Sequence, residues 1–395
     1  MILRAWITLA AMSAVFFLIT ATTFSSLGVV LPAMIGELRW NWGGAGSGFS
    51  LLGVAAGITA TIPSSLIRRF GVRTTLVAGS LVMAADFGCL AVTHGLALYF
   101  LACLLLGLGF TLLATVPGTY LLARLFARPS FAFGLYFTVG GLGGVAGPVL
   151  YLWVAAITQS WRAYWLVSLL IVTAAGLLSA ILVDVKTDLR GGTDKDSGIT
   201  GELWPVRAAL RTPQFAILAA AYSIFLFVGI TVNAVSVAHL MSRGVTAAVA
   251  GGMMSVEALI NAGARLLGGV IVRWISAKTL LLLALTMTIA GLMALSAARD
   301  LPMMLIFATG VGVGYGLTFF ASTILLLDYY GRAPNLELFA AINLISTIGA
   351  GGPAFAGFVA DHTGSFVPAF TILEGLVLLV LIAVALMRRP RWSAA

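Results

Sequence analysis

The chain has 395 residues, 61% of them hydrophobic and only 9% charged, with a formal net charge of +9. Soluble domains carry about 25% charged residues, so the composition excludes a soluble globular protein and describes one that lives in lipid. A positive balance hints at nucleic acid in a soluble chain. Here the basic residues fall between apolar runs and report topology, and no nucleic-acid partner is expected.

Twelve apolar segments reach about 20 residues, the length that crosses a bilayer: 6–35, 46–67, 74–93, 96–123, 130–156, 162–183, 214–241, 246–272, 279–297, 301–327, 335–360 and 366–387. Met1-Ile-Leu-Arg4 starts like a signal peptide. The apolar run behind it is too long and no small-residue cleavage site closes it, so it is expected to remain as the first span. The only long polar stretch, 184–213, divides the spans six and six. The predicted organisation is an N-terminal six-helix bundle over 1–188, a linker over 189–212 and a C-terminal six-helix bundle over 213–395.

Lysine and arginine sort by side. One side receives Arg4, Arg68, Arg69, Arg73, Arg124, Arg128, Lys186, Arg190, Lys195, Arg207, Arg211, Arg273, Lys278, Arg332, Arg388, Arg389 and Arg391; the other receives Arg39, Arg162, Arg243 and Arg299. Basic loops stay in the cytoplasm, so both termini and the central loop are expected there, in the plasma or inner membrane. An odd number of spans would destroy the alternation.

The halves repeat at an offset of 205. That shift lays Leu66-Ile-Arg-Arg-Phe-Gly-Val-Arg-Thr74 on Ile271-Val-Arg-Trp-Ile-Ser-Ala-Lys-Thr279. It also lays Gly107 and Gly109 on Gly312 and Gly314, and Gly147-Pro148 on Gly352-Pro353. Parallel six-helix repeats around a central site are one of the transporter architectures.

Within the eighth span, Glu257, Asn261 and Arg265 fall at i, i+4 and i+8. At about 100° per residue they share one helix face over about 12 Å. Arg265 lies eight residues before Arg273. An arginine at such depth costs about 2.5–3.5 kcal/mol on insertion scales, so it is expected to face a protein interior or a wet cavity. Guanidinium stays charged and grips a carboxylate with two parallel hydrogen bonds. Arg265 therefore either holds an anionic substrate or forms a structural ion pair with another buried acid, Asp86 or Glu374. Asn261 is expected to bond the substrate or to cap Arg265. Glu257 is too far along the helix to pair directly with Arg265. An acid enclosed away from water must be neutralised, so Glu257 is expected to carry a coupling proton or to be reached by water near the outer vestibule. Arg124 and Asp328, near-equivalent in the repeat, are expected to form gate contacts on the cytoplasmic side.

Other chemistries find little support. Cys89 and Cys103 sit inside apolar segments, against a disulfide scaffold. His94, His239 and His362 are scattered, so no metal site is expected, nor any catalytic set. No Gly-x-x-x-x-Gly-Lys-Ser/Thr loop is present, and no cofactor is expected.

With these features the chain resembles the major facilitator superfamily over nearly its whole length. Ser64-Ser-Leu-Ile-Arg-Arg-Phe-Gly-Val-Arg73 looks like its signature loop, with Arg68 where the family usually has Asp. Gly140-Gly-Leu-Gly-Gly-Val-Ala-Gly-Pro148 looks like its fifth-span Gly-Pro helix, where small residues let helices approach closely. Three stretches are similar to the monocarboxylate transporters and oxalate/formate exchangers: Leu38-Arg-Trp-Asn-Trp42, Asn261-x-x-x-Arg265, and the stretch from Gly352 through Asp361 to Phe366.

The resemblance implies an all-α membrane protein with twelve transmembrane helices in two pseudo-symmetric bundles. It also implies that Arg265 binds a substrate carboxylate. Tyr120 and Tyr315 then lie in helices that line the family's cavity, and are expected to contact the substrate or to pack with their hydroxyls on backbone. Asn233 and Asn343 receive the same reading. Asp86 and Glu374 fall in helices that are peripheral in the family and are expected to be supports or lipid-side acids. The first span has no lysine between Trp6 and Pro32, which favours a single carboxylate over a dicarboxylate. The expected protein is a secondary transporter of a small organic anion, a proton-coupled monocarboxylate symporter working as a monomer. Anion exchange or proton-driven efflux is the alternative.

Overall fold

The computed structural model describes residues 2–126, 129–183, 204–272, 274–331 and 334–390. Most of the expected linker, 189–212, lies outside them. The described residues form helices α1 (Ile2–Thr22), α2 (Phe24–Leu38), α3 (Trp42–Ile58), α4 (Ile62–Ala91), α5 (Leu96–Phe110), α6 (Val116–Leu125), α7 (Pro129–Thr158) and α8 (Trp161–Leu182). After the linker come α9 (Val206–Leu210), α10 (Pro213–Ser242), α11 (Ala247–Ile271), α12 (Ala277–Ala297), α13 (Leu301–Tyr330), α14 (Asn335–Ser346), α15 (Gly352–Thr363) and α16 (Val367–Leu386).

Eleven helical stretches among the described residues are long and apolar enough to cross a membrane. One of them, Trp42–Ala91, runs 50 residues, roughly 75 Å if straight against a hydrocarbon core of about 30 Å. Gly71 breaks it with φ 81° and ψ 165°, a conformation that glycine adopts without a steric penalty. The stretch makes two passes and the chain twelve. The expected connection between spans two and three thus shrinks to a corner at one residue.

Several expected spans are interrupted rather than continuous. The first breaks at Thr23 between α1 and α2, and hydroxyls satisfy the local carbonyls: Ser26 Oγ donates to Ala21 O at 2.5 Å and Thr23 Oγ1 to Ile19 O at 2.8 Å. The fourth widens into a π-helical turn at Thr111–Thr115. Pro117 follows and has no N–H to give the preceding turn, and Tyr136 Oη donates to the Ala114 carbonyl within the widened turn, at 2.5 Å. The eleventh tightens to a 3-10 turn at Thr347–Gly351 before Pro353 starts the next helix.

The repeat read from the sequence recurs as packing. A Cβ on Gly107 would come within 2.4 Å of Leu52 O, and one on Gly312 within 2.7 Å of Glu257 O. Leu52 and Glu257 are themselves 205 residues apart. Gly109 faces Met83 as Gly314 faces Thr288, and Gly147 faces Ser26 as Gly352 faces Thr231, again at the same offset.

Twelve passes put the start of α1 and the end of α16 on one face, here the termini face; the opposite one is the far face. The halves meet along α2–α10, α3–α15 and α7–α11, on the segments nearer the far face. Ser50 Oγ accepts from Ala354 N at 3.0 Å, Ser255 Oγ donates to Val145 O at 2.7 Å, and a Cβ on Gly28 would overlap Asn233 O at 1.7 Å. Among the described residues no comparable packing joins α6 to α13 or α14 at the termini face. Among the described residues the halves pack closely at the far face and not at the termini face.

Candidate binding site around Arg265

Helix α11 runs unbroken through Glu257, Asn261 and Arg265, its start capped by Thr246 Oγ1 accepting from Val249 N. Gly312 and Gly316 of α13 let that helix approach: a Cβ on Gly316 would sit 2.5 Å from Asn261 O. This close packing sets α13 aromatic rings beside the polar face of α11. The Arg265 guanidinium carbon lies 4.8 Å from the centre of the Phe319 ring and 5.8 Å from that of Tyr315. Aromatic faces attract a cation through their quadrupole without neutralising it. Tyr315 in turn packs on Phe225 of α10 at 4.1 Å between ring centres, and Phe225 and Tyr222 both face Phe319.

Arg265 is half-buried and makes no ion pair with Asp86, Glu374 or Glu257. Its Nε is enclosed and unpartnered, and so is Asn261 Oδ1 one turn away. Buried polar atoms are nearly always satisfied, so an unpaired charged donor beside an unpaired acceptor marks a place where a partner is missing. The two atoms also show that Asn261 does not cap Arg265 in this state. Glu257 is buried at 5% exposure, two turns closer to the far face.

The structural ion pair expected as the other role for Arg265 is corrected by the placement of both acids. Asp86 is fully buried in α4, among α5 and α8 of the N-terminal half, rather than facing lipid, and both its carboxylate oxygens are unpartnered among the described residues. Glu374 on α16 accepts from Ser296 Oγ on α12 at 3.3 Å, a support contact.

The remaining predicted residues make contacts of their own. Tyr120 sits beneath the Arg124 guanidinium at 4.2 Å on α6. Asn233 and Asn343 each donate their amide to their own helix, to Gly229 O at 2.9 Å and Phe339 O at 2.8 Å. Asp328 is exposed, and its backbone carbonyl accepts from Arg389 at 3.1 Å; it does not pair with Arg124. A contact between those two needs the termini face closed. His239 is buried on α10 with Nε2 3.1 Å from Leu295 O. Among the described residues no group of His, Cys, Asp or Glu is arranged to hold a metal.

Sequence reasoning passed over Phe319, Phe225 and Tyr222. Phe319 was within reach of it, lying one turn beyond Tyr315 and so on the same face. The two residues of α10 have no such signal, since tertiary packing alone brings them near.

Two repeated six-helix halves, with Arg265 half-buried and answered by no acid among the described residues, describe a polytopic membrane protein. The Major Facilitator Superfamily profile matches residues 13–351, and the chain belongs to that superfamily of secondary transporters. Among solved structures it is similar to the nucleoside transporter NupG, with a TM-score of 0.76 at 15% identity, covering 96% of this chain and 98% of that one. It is also similar to a bacterial homolog of the human lysosomal transporter Spinster, with a TM-score of 0.71 at 16% identity, covering 97% and 96%. At these identities the likeness is one of fold. No curated protein sequence matches the chain.

Proposed function

We propose that the chain carries a small organic monocarboxylate across the membrane together with protons, by alternating access, as a monomer in the plasma or inner membrane with both termini in the cytoplasm. The observation that carries this reading is the enclosed Arg265 Nε with no acid to answer it. A carboxylate supplies that answer with two parallel bonds. The Asn261 Oδ1 acceptor meets a donor on the cargo, and Tyr315 and Phe319 wall its apolar part. Glu257 takes the proton, and Arg124 and Asp328 close the termini face when the halves rock back. Tyr120, Asn233 and Asn343 serve the cavity on the opposite swing. The organisation 1–188, 189–212 and 213–395 makes each half a rigid body. The resemblance to the monocarboxylate and oxalate/formate branch points to the same chemistry.

The test is a thermal-shift screen of small carboxylates on wild type and Arg265→Ala, followed by flux into proteoliposomes. A stabilising acid for wild type that fails on Arg265→Ala, and uptake driven by a pH gradient, are expected. Equal stabilisation of both proteins removes Arg265 from the site. Uptake that ignores the gradient and requires internal anion replaces symport with exchange.

A further inference from the structure

Two stretches singled out in the sequence, Leu38–Trp42 and Gly352–Phe366, have no part in the site around Arg265, yet they meet across the halves at the far face. Trp42 N–H donates to Asp361 Oδ1 at 2.9 Å and Gly43 N–H to Asp361 Oδ2 at 2.8 Å. Both donors belong to the first turn of α3, which has no intrahelical acceptors for them. Gly44 N–H, the next donor, is taken by Asn41 Oδ1 at 3.0 Å. Two of these three capping bonds on α3 therefore come from a carboxylate on the other half of the molecule, placed at the positive end of a helix dipole.

The surroundings are built for that contact. A Cβ on Gly357 would come within 2.2 Å of Trp42 O, and one on Gly46 within 2.2 Å of Pro353 O. The Trp42 ring meets Phe366 edge-on at 5.1 Å. The repeat-equivalent place carries nothing similar. Asp361 corresponds to Ala156 and Trp42 to Ala247, and α11 is capped from its own chain by Thr246.

We infer that Asp361 is a positioning residue of the transport cycle: it latches the far face shut by capping α3 from α15, and so sets the balance between the two access states. When the halves part at the far face, both bonds and the dipole interaction are lost together. Every other bond between the halves among the described residues joins neutral groups, so among them Asp361 holds the charged contact in the closure. The inference rests on the rocking of the two halves, not on the identity of the cargo.

The experiment places nitroxide pairs in a chain carrying Cys89→Ala and Cys103→Ala, reconstituted in lipid nanodiscs. One pair is at Val92 and Ala297 on the far face, the other at Arg69 and Trp274 on the termini face; each pair is repeat-equivalent and exposed. Double electron–electron resonance then reads both distances. Asp361→Ala is expected to raise the far-open population about 5- to 30-fold, lengthening the far-face distance while shortening the other. Asp361→Asn, which keeps an acceptor without the charge, falls between, and Asp361→Glu stays near wild type. Wild-type exchange between two distances with no shift in Asp361→Ala overturns the latch alone. Broadening at both faces together is loss of packing and also overturns it. One fixed distance at each face, in wild type and Asp361→Ala alike, overturns both the latch and the rocking.

Discussion

Helices α3 and α11 occupy the same place in the two halves, and along their length they differ in charge. The positions that carry Glu257, Asn261 and Arg265 on α11 are Leu52 and Ala56 on α3 and Ala60 in the turn just after it. Their glycine partners are shared: Gly107 packs on Leu52 as Gly312 packs on Glu257. Where Tyr315 faces the cation, its counterpart Phe110 packs on Phe16 and Phe24, and Thr59 meets Thr111 through their hydroxyls at 3.2 Å. The scaffold is doubled and the charge is not. What a membrane helix needs in order to pack is small residues, and these repeat. What the proposed anionic cargo needs is one uncompensated countercharge, and a second would add a further desolvation cost with nothing to answer it. The latch at Asp361 follows the same rule, with its acid on one half only.

The sharpest way to break this comparison is to move the charge across it. Arg265→Ala combined with Ala60→Arg puts the cation at the repeat-equivalent position, beside hydroxyls instead of Tyr315 and Phe319. Substrate flux in proteoliposomes is expected to stay about 100-fold or more below wild type, at the level of Arg265→Ala alone. Recovery to within tenfold would show that the halves are interchangeable as binding surfaces.

Glu257→Gln makes α11 more like α3 by removing its acid while keeping its shape. Gradient-driven accumulation is expected to fall about tenfold, with exchange of labelled for unlabelled substrate at equal pH retained. Loss of both activities in parallel would assign Glu257 to binding and not to coupling.

The scaffold itself gives the smallest effect and the most even one. Gly107→Ala and Gly312→Ala each push a methyl against a backbone carbonyl of the neighbouring helix. Overpacking of this kind costs about 1–3 kcal/mol, so the two variants are expected to lower the thermal midpoint by similar amounts. A large drop in one and none in the other would show that the halves are held together differently, despite their common pattern.

Much of this was legible along the chain. The twelve passes, the offset of 205 and the face shared by Glu257, Asn261 and Arg265 all follow from spacing, because span length and helical period are local properties. The interruptions were less legible. Gly71 bends where glycine permits it, but the break at Thr23 rests on the hydroxyls of Thr23 and Ser26 turning onto nearby carbonyls, and the π turn at Thr111–Thr115 takes a hydroxyl from Tyr136 on another helix. The partners of Arg265 were legible only in part, since Asp86 and Glu374 looked as available along the sequence as Phe319 did.

The sequence by itself determined a membrane-spanning chain of two repeated halves with a lone cation deep in one of them, because apolar length, charge and periodicity are written residue by residue. The tertiary structure alone decided that the cation is left unpaired and that Asp361 reaches the start of α3. Both depend on which side chains distant helices bring within about 3 Å, the range of a hydrogen bond, and no local pattern encodes that distance.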